Sequence, residues 1–247
     1  MISLFRKIRK DGMKQNKATR YLAYSIGEIL LVLVGILIAL EINNVNERGK
    51  ARAYEEKMLI EVKTALEQDL DFFENHLIGF RNREAVKAAE FFNQYYLTKQ
   101  INKDSIRFHF SNLDFGFQIS YNRGPYEALK STGLDKVSND SLRSVMIHVY
   151  DFVYPRWKGL IESQQKENAA IMKLIKGSMM KAQGYEVIDG EVVHLKPFLA
   201  SIDQIDDDQF IRLVGLAEYE AMTQARRLSR LPPYMRKLIG MIETEVQ

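Results

Sequence analysis

One acidic residue in this sequence lies where a carboxyl group could do unusual chemistry. Glu28 is embedded in the most apolar stretch of the 247-residue chain, SIGEILLVLVGILIALEINN, residues 25 to 44. An ionised acid near the centre of a membrane helix costs about 2.5 to 3.5 kcal/mol. Burial therefore favours the neutral, protonated form. An acid that exchanges protons at that depth would couple a protein to an ion gradient.

Small residues accompany Glu28 and suggest a different role for it. Gly35 and Ala39 follow Glu28 by 7 and 11 residues, which places all three on one helix face. Ala23 with Gly27, and Gly35 with Ala39, form two pairs of small residues four apart, a spacing that lets helix backbones approach closely. Three interpretations follow: a polar contact to a neighbouring helix in a homo-oligomer or hetero-complex, a proton-exchanging site, or an acid tolerated without a role.

The rest of the sequence contains no recognisable catalytic or metal-binding motif. The acids Asp203, Asp206, Asp207 and Asp208 lack the glycine and terminal glutamate of a calcium loop and are better explained by helix capping. Phosphate-binding loops and nucleophile elbows are absent from the sequence. The histidines lack the spacing and paired acid of a metal site; they are His76, His109, His148 and His194. We therefore predict a non-enzymatic protein with no catalytic residue, metal or cofactor.

The apolar stretch predicts a transmembrane helix over residues 21–42. Apart from Tyr24, Ser25, Glu28 and Glu41, residues 22–42 are apolar or small. About 20 residues suffice to cross the hydrocarbon, so the stretch qualifies if Glu28 is tolerated. A secretory signal peptide would be followed by an Ala-x-Ala cleavage pattern, and a buried core helix would keep a polar face; neither feature is present.

Basic residues predict the orientation of this helix and the division of the chain into three parts. Seven Lys and Arg residues precede the apolar stretch and four follow closely, so the N-terminal side is expected to be cytoplasmic. Residues 1–20 would be a cytoplasmic tail and residues 43–247 a periplasmic domain. Basic residues alternate with apolar ones at helical spacing in the tail, which suits either a helix at the anionic inner leaflet or an unstructured topogenic tail; these basic residues are Arg6, Lys7, Arg9 and Lys10.

The charge balance argues against nucleic acid as a partner. The net charge is +3, but the seven basic residues and one acid of the tail contribute +6, which leaves −3 for the remainder. A nucleic-acid footprint needs basic charge clustered on the folded part. The absence of cysteine excludes a disulfide scaffold and cysteine-ligated zinc.

The part after the membrane helix predicts an extended helical bundle, with coiled-coil character. Apolar residues three and four apart run from Leu59 through Phe80, and the pattern resumes to about Thr98, which predicts one long helix with Gly49 and Gly79 as weak points. A short helix is expected after Asp104. Another has Pro125 in its first turn and Gly133 at its C-cap.

The C-terminal half predicts further helices and one hairpin. Ser138 or Asn139 would cap a long helix that Pro155 kinks or splits. Asp189-Gly190 between β-favouring runs predicts a small hairpin near 185–195. Residues 206–209 resemble a capping box, followed by a helix to about residue 230, and a last helix would begin at Pro232-Pro233. The predicted fold class is thus all-α with one small hairpin.

Aromatic residues are concentrated in one region of the chain. Of 26 aromatic residues, 13 lie between Phe72 and Tyr126. They fit core packing between the first long helix and the segment after it, or an exposed aromatic face for a peptide, glycan or protein partner.

Three segments resemble a known family. NKATRYLAYSIGEILLVLVGILIALEINNVNERGK, YEEKMLIEVKTALEQDL and GPYEALKSTGLDKVSNDSLRSVMIHVY are similar to a family of bacterial single-pass inner-membrane proteins of unknown function. Glu41 and Val45 stand where that family commonly has Gln and Trp. The resemblance implies a Gram-negative inner membrane and a periplasmic helical domain, and it implies no activity.

We expect a membrane-anchored periplasmic scaffold or adaptor. Its expected partners are the lipid bilayer, a second copy or a partner transmembrane helix, and an envelope protein. The alternatives are an extracytoplasmic sensor domain and an ion-gradient-coupled channel or motor subunit that uses Glu28.

Overall fold

A computed structural model describes residues 17–113, 119–179, 185–194, 199 and 201–247. The predicted membrane-surface residues Arg6, Lys7, Arg9 and Lys10 lie outside the described residues. The chain divides into two units, Met1–Glu55 and Glu56–Gln247.

The described part of the first unit is helical. It belongs to α1 (Lys17–Asp71), which carries the apolar stretch and is long and apolar enough to cross a membrane. Its large apolar side chains between Leu22 and Ile42 are exposed by 46% at Leu30 to 75% at Leu31. Such a surface suits a lipid environment, because water would have to solvate apolar groups on every side of the helix.

The second unit is built from helices and one hairpin, which confirms the predicted all-α fold class. In two stretches the helix widens to π geometry; they are called the first π segment (Phe72–Asn82) and the second π segment (His148–Val153). The helices are α2 (Arg83–Thr98), α3 (Lys103–Asn112), α4 (Gly124–Thr132), α5 (Asp140–Ile147), α6 (Tyr154–Met179), α7 (Asp208–Leu228) and α8 (Pro232–Glu245). Short 3₁₀ turns are Leu134–Lys136 and Ile202–Asp206, and the strands are β1 (Tyr185–Ile188) and β2 (Glu191–His194).

The first π segment changes which residues face the core. The buried residues Phe73, Leu77 and Asn82 are spaced four and five apart, as a wide helical turn requires, whereas Phe80 is 64% exposed. The prediction that the apolar face continues through Phe80 is therefore wrong. Gly79 permits the wide turn, since a Cβ there would lie 2.8 Å from the carbonyl oxygen of Glu74.

The second π segment lies where Pro155 was expected to split a helix. Asn139, one of the two predicted caps, caps α5 by accepting hydrogen bonds from the backbone N–H groups of Ser141 and Leu142. The wide turns then lead directly into α6, with Pro155 at its second residue. Proline lacks an N–H donor and its ring crowds the preceding turn, so a locally widened helix accommodates it.

Predictions from turn residues agree with the structure. In the hairpin, Val187 pairs with Val192, and both Asp189 and Gly190 adopt positive φ, as a type I′ turn requires. Pro125 lies in the first turn of α4, and Gly133 follows its last residue with φ +106°.

The capping box is not where the sequence predicted it. It is formed by Ser201 and Gln204 at the 3₁₀ turn before α7, rather than by residues 206–209. Asp207 caps α7 alone, by accepting from the N–H of Gln209 at 2.7 Å.

A hydrophobic core joins α2, α3, α6 and α7. Rings from three of these helices meet in it, since Phe92 contacts Phe210 edge-on at 4.9 Å between centroids and Phe110 stacks near Phe210 at 6.1 Å. Around them pack Ala88, Ala89, Ile106, Leu113, Met172, Ile175, Met179, Leu199, Ile205, Leu213, Val214 and Ala217.

Of the eleven described aromatic residues of the crowded region, four are buried in the core, four are partly buried and three are exposed. Phe73, Phe92, Phe110 and Tyr126 are fully buried, whereas Phe108 is 56% exposed. Their distribution favours core packing over a continuous aromatic surface.

Candidate functional site

The helix face that the sequence predicts as a contact with another helix is solvent-accessible in α1. Glu28, Gly35 and Ala39 are exposed and Gly27 is partly exposed, and the side chain of Ala23 is not described. A Cβ added at Gly27 or Gly35 would meet no atom within 4 Å in this chain. Within the described residues, Glu28 forms no hydrogen bond or ion pair.

This arrangement is chemically suited to contact with another helix. The small side chains leave a shallow face on which a second backbone can approach closely. In hydrocarbon the Glu28 carboxyl group needs a hydrogen-bond partner, because an unsatisfied polar group there is costly.

A second polar site, which the sequence did not predict, lies in the interior of the second unit. Asp69, in the last turn of α1, is 7% exposed. Its two carboxylate oxygens accept from one backbone donor, the N–H of Asn122, at 3.1 and 2.9 Å. Among the described residues no cationic side chain forms an ion pair with Asp69.

Four tyrosines form a stacked layer beside this carboxylate. The ring of Tyr126 stacks on Tyr150 at 4.5 Å and 5°, and Tyr121 stacks on Tyr154 at 4.1 Å and 6°. Tyr150 and Tyr154 are themselves 5.5 Å apart, so the two stacks are in contact. The hydroxyl oxygens of Tyr150 and Tyr154 are buried and have no hydrogen-bond partner in the described part of the chain.

The outer edge of the tyrosine layer is bound to Asp151. Asp151 accepts from the Tyr126 hydroxyl at 2.9 Å and from Lys130 Nζ at 2.8 Å, and Arg123 lies 3.4 Å away. Burial alone would raise the pKa of Asp151, but the hydrogen bonds from Lys130 and Tyr126 outweigh it and the pKa is lowered.

Asp69 is in the opposite situation. Burial raises its pKa to about 6, and the single backbone hydrogen bond from Asn122 only partly opposes this. Burial also raises the pKa of Tyr150 and Tyr154, and the nearby Asp69 carboxylate raises both further. Burial therefore favours the protonated, neutral form of Asp69 beside the neutral hydroxyl groups of Tyr150 and Tyr154.

A third polar group is buried between α6 and α7. Glu220 is 1% exposed and accepts hydrogen bonds from Gln164 at 2.7 Å, from Asn168, and from Gln224 at 3.1 Å. Three amide donors satisfy the carboxylate, so this network fixes the register of the two helices rather than leaving a reactive group.

Sequence reasoning missed the buried acids Asp69 and Glu220, although a signal for them exists. Asp69 follows Leu66 by three residues and precedes Phe73 by four, so it occupies the apolar stripe of α1. Glu220 occupies the stripe of α7 in the same way, three residues after the buried Ala217. A charged residue at a position where the helical period requires an apolar one marks a buried polar site.

The acids near α7 have structural roles. Asp206 accepts from the Tyr95 hydroxyl at 2.6 Å and from Lys99 Nζ at 3.0 Å, which ties the end of α2 to the turn before α7. Because these two hydrogen bonds favour the charged form, the pKa of Asp206 is lowered. Within the described residues, no three His, Asp or Glu side chains are grouped as metal ligands would be.

The comparisons with known proteins identify a family. No curated protein and no solved structure matches the chain. A family of unknown function, DUF6090, matches residues 28–221, which include most of the apolar stretch, the Asp69 cluster and the core. The match covers well over half of the sequence, and the chain therefore belongs to the DUF6090 family.

Proposed function

We propose that the protein is a membrane-anchored helical scaffold or adaptor without enzymatic activity. In this proposal α1 crosses the inner membrane of a Gram-negative cell, with residues 1–20 in the cytoplasm and the second unit in the periplasm. The basic residues before the apolar stretch support that orientation. The bilayer, a second copy or partner helix, and an envelope protein are the partners.

The observation that carries the proposal is the combination of an exposed carboxyl group and small residues on one face of an otherwise apolar helix. Glu28, Gly35 and Ala39 share that face, and Glu28 forms no hydrogen bond within the described residues. In a bilayer, a second helix on this face would supply the missing hydrogen bond and fill the shallow surface. A homo-oligomer is the simplest case, since each copy brings the same face.

The test is the mass of the full-length protein in a gentle detergent, together with crosslinking in membranes. Gly35→Phe blocks the proposed face, while Leu37→Phe places the same aromatic side chain on the opposite side of the helix and serves as the control. We expect the Gly35 variant to shift to a lower mass and the Leu37 variant to retain the wild-type mass. Equal masses for all three would contradict the proposal.

Substitution of Glu28 separates the scaffold from a gradient-coupled channel or motor. Glu28→Gln retains hydrogen-bonding groups but cannot exchange a proton, whereas Glu28→Ala removes both. The scaffold proposal expects the Gln variant to assemble like the wild type and the Ala variant to assemble less. A reporter fused after residue 247 tests the orientation, and reporter activity in the cytosol would contradict it.

A further inference from the structure

The Asp69 cluster connects four parts of the second unit that are distant in sequence. Asp69 comes from the end of α1, Asn122 from the segment before α4, Tyr150 from the second π segment and Tyr154 from the start of α6. Phe73, in the first π segment, adds an edge-on contact to the Tyr154 ring at 6.4 Å. A change in this cluster therefore acts on both π segments at once.

The cluster contains too few donors for an ionised carboxylate. Buried carboxylates are ordinarily paired with a cation or hold several hydrogen bonds. Asp69 accepts from one N–H only, and no Lys or Arg among the described residues pairs with it. Neutralisation by a proton removes this deficit, and the raised pKa of about 6 agrees with it.

The cluster also contains acceptors that a protonated acid could use. The Tyr150 and Tyr154 hydroxyls are buried without a partner in the described chain. A phenol oxygen accepts a hydrogen bond from a carboxylic acid and donates one to a carboxylate. Both hydroxyls are near enough to Asp69 for its charge to raise the pKa of each tyrosine.

We propose that Asp69, Tyr150 and Tyr154 form a proton-binding site that stabilises the junction of α1 with the second π segment when the proton is bound. The proton comes from solvent and forms an O–H bond on one Asp69 oxygen, and no other covalent bond changes. The site uses residues of the second unit alone. A negative result for this proton-binding site would therefore leave the proposed membrane helix contact unaffected, and the reverse also holds.

Other ionisable side chains surround the site. Tyr121 and Tyr126 face the same layer and titrate far above pH 6. Asp151 has a lowered pKa and forms ion pairs with Lys130 and Arg123. His148 lies in the second π segment, with its ring near Phe152 and Tyr234 rather than in the tyrosine layer.

Infrared spectroscopy of the full-length protein in detergent, titrated from about pH 4 to 8, tests the proposal. The carboxylic C=O band of a protonated acid should disappear with a midpoint near pH 6 in the wild type. The band should be absent in Asp69→Asn and retained in Asp71→Asn, which changes an exposed acid on the same helix. His148→Gln should also retain it, because the histidine is not part of the site.

The chain supplies a second readout in its single tryptophan. Trp157 lies three residues after Tyr154 in α6, and its emission should change with the same midpoint as the infrared band. Removal of one hydroxyl, in Tyr154→Phe, should move the midpoint downward by about half a pH unit or more, because the protonated acid loses a hydrogen-bond acceptor.

Three results would overturn the proposal. The first is a midpoint near the ordinary aspartate value, and the second is a band near pH 6 that persists in Asp69→Asn. The third is a midpoint that does not move in Tyr150→Phe or Tyr154→Phe. Circular dichroism would show whether Asp69→Asn folds. If it does not, the tyrosine variants still test the proposal, because they retain Asp69.

Discussion

Arg236 donates two hydrogen bonds from one guanidinium nitrogen to the two carboxylate oxygens of Glu74, at 2.5 and 2.6 Å. The pair joins α8 to the first π segment across 162 positions of sequence. Because 55% of the Arg236 side chain and 35% of the Glu74 side chain are exposed, solvent screens the interaction. Its main effect is to hold the C-terminal helix against the wide turns.

Arg236→Ala should lower the free energy of unfolding by about 0.2 to 1 kcal/mol, the range of partly exposed ion pairs. Lys237→Ala is the matched control, since Lys237 is the exposed neighbour on the same helix. Urea denaturation of both variants, and of Glu74→Ala with and without Arg236→Ala, gives the coupling energy. Equal losses for the Arg236 and Lys237 variants would show that the pair contributes nothing.

Three buried tyrosines should respond differently to the loss of a hydroxyl group. Tyr126→Phe removes a hydrogen bond to Asp151 and should cost about 1 kcal/mol. At neutral pH, Tyr150→Phe and Tyr154→Phe remove hydroxyls without a partner in the described chain, so they should be close to neutral or stabilising. Thermal denaturation of the three variants compares them, and a larger loss for either unpartnered tyrosine would contradict the hydrogen-bond assignment.

Two glycines should respond to alanine in opposite directions. A Cβ at Gly79 would lie 2.8 Å from the Glu74 carbonyl oxygen, so Gly79→Ala should destabilise the first π segment by about 1 kcal/mol or more. A Cβ at Gly215 in α7 would meet no atom within 4 Å, so Gly215→Ala should stabilise by up to about 1 kcal/mol. Denaturation midpoints measure both changes, and a stabilising Gly79→Ala would argue against the wide turn.

The pKa of Asp69 predicts how stability depends on pH. The folded value of about 6 exceeds the ordinary 3.8, so the folded state binds the proton more tightly between these values. This contribution to stability is fully present below about pH 4 and is lost as pH rises through about 6. Asp69→Asn should therefore gain up to about 3 kcal/mol relative to the wild type at pH 7 and little at pH 4.

Melting temperatures measured at several pH values provide the check on Asp69. Glu90→Gln is the control, because Glu90 is an exposed acid on α2 that forms no ion pair or hydrogen bond within the described residues. Parallel profiles for the wild type and Asp69→Asn would contradict the prediction.

Local sequence signals account for the predictions that agree with the structure. Asp189-Gly190, Pro125, Gly133 and Asn139 each act through the backbone of their own turn, so no knowledge of distant neighbours was needed. The apolar period likewise located Leu59, Val62 and Leu66, which are fully buried.

The misses come from interactions that a local pattern does not contain. The spacing of Phe73, Leu77 and Phe80 fits an ordinary helix, and only the packing of the second unit shows that the helix widens and turns Phe80 outward. Asp69 does not stand out in the sequence, because acids are plentiful on charged helix faces. Asp69 lies in the apolar stripe of α1, but its hydrogen-bond donor, Asn122, is 53 residues away and is identified only by the structure.

The first π segment also sets the rotational phase of the helix that follows it. Each wide turn contains more residues than an ordinary turn, so a return to ordinary geometry would rotate α2 about its axis. The buried side of α2 would then face away from α7, and the core would lose the contacts of Ala88, Ala89 and Phe92. The packing of α2 against the core therefore stabilises the π geometry of the first π segment, because ordinary helical geometry there would rotate the buried side of α2 out of the core.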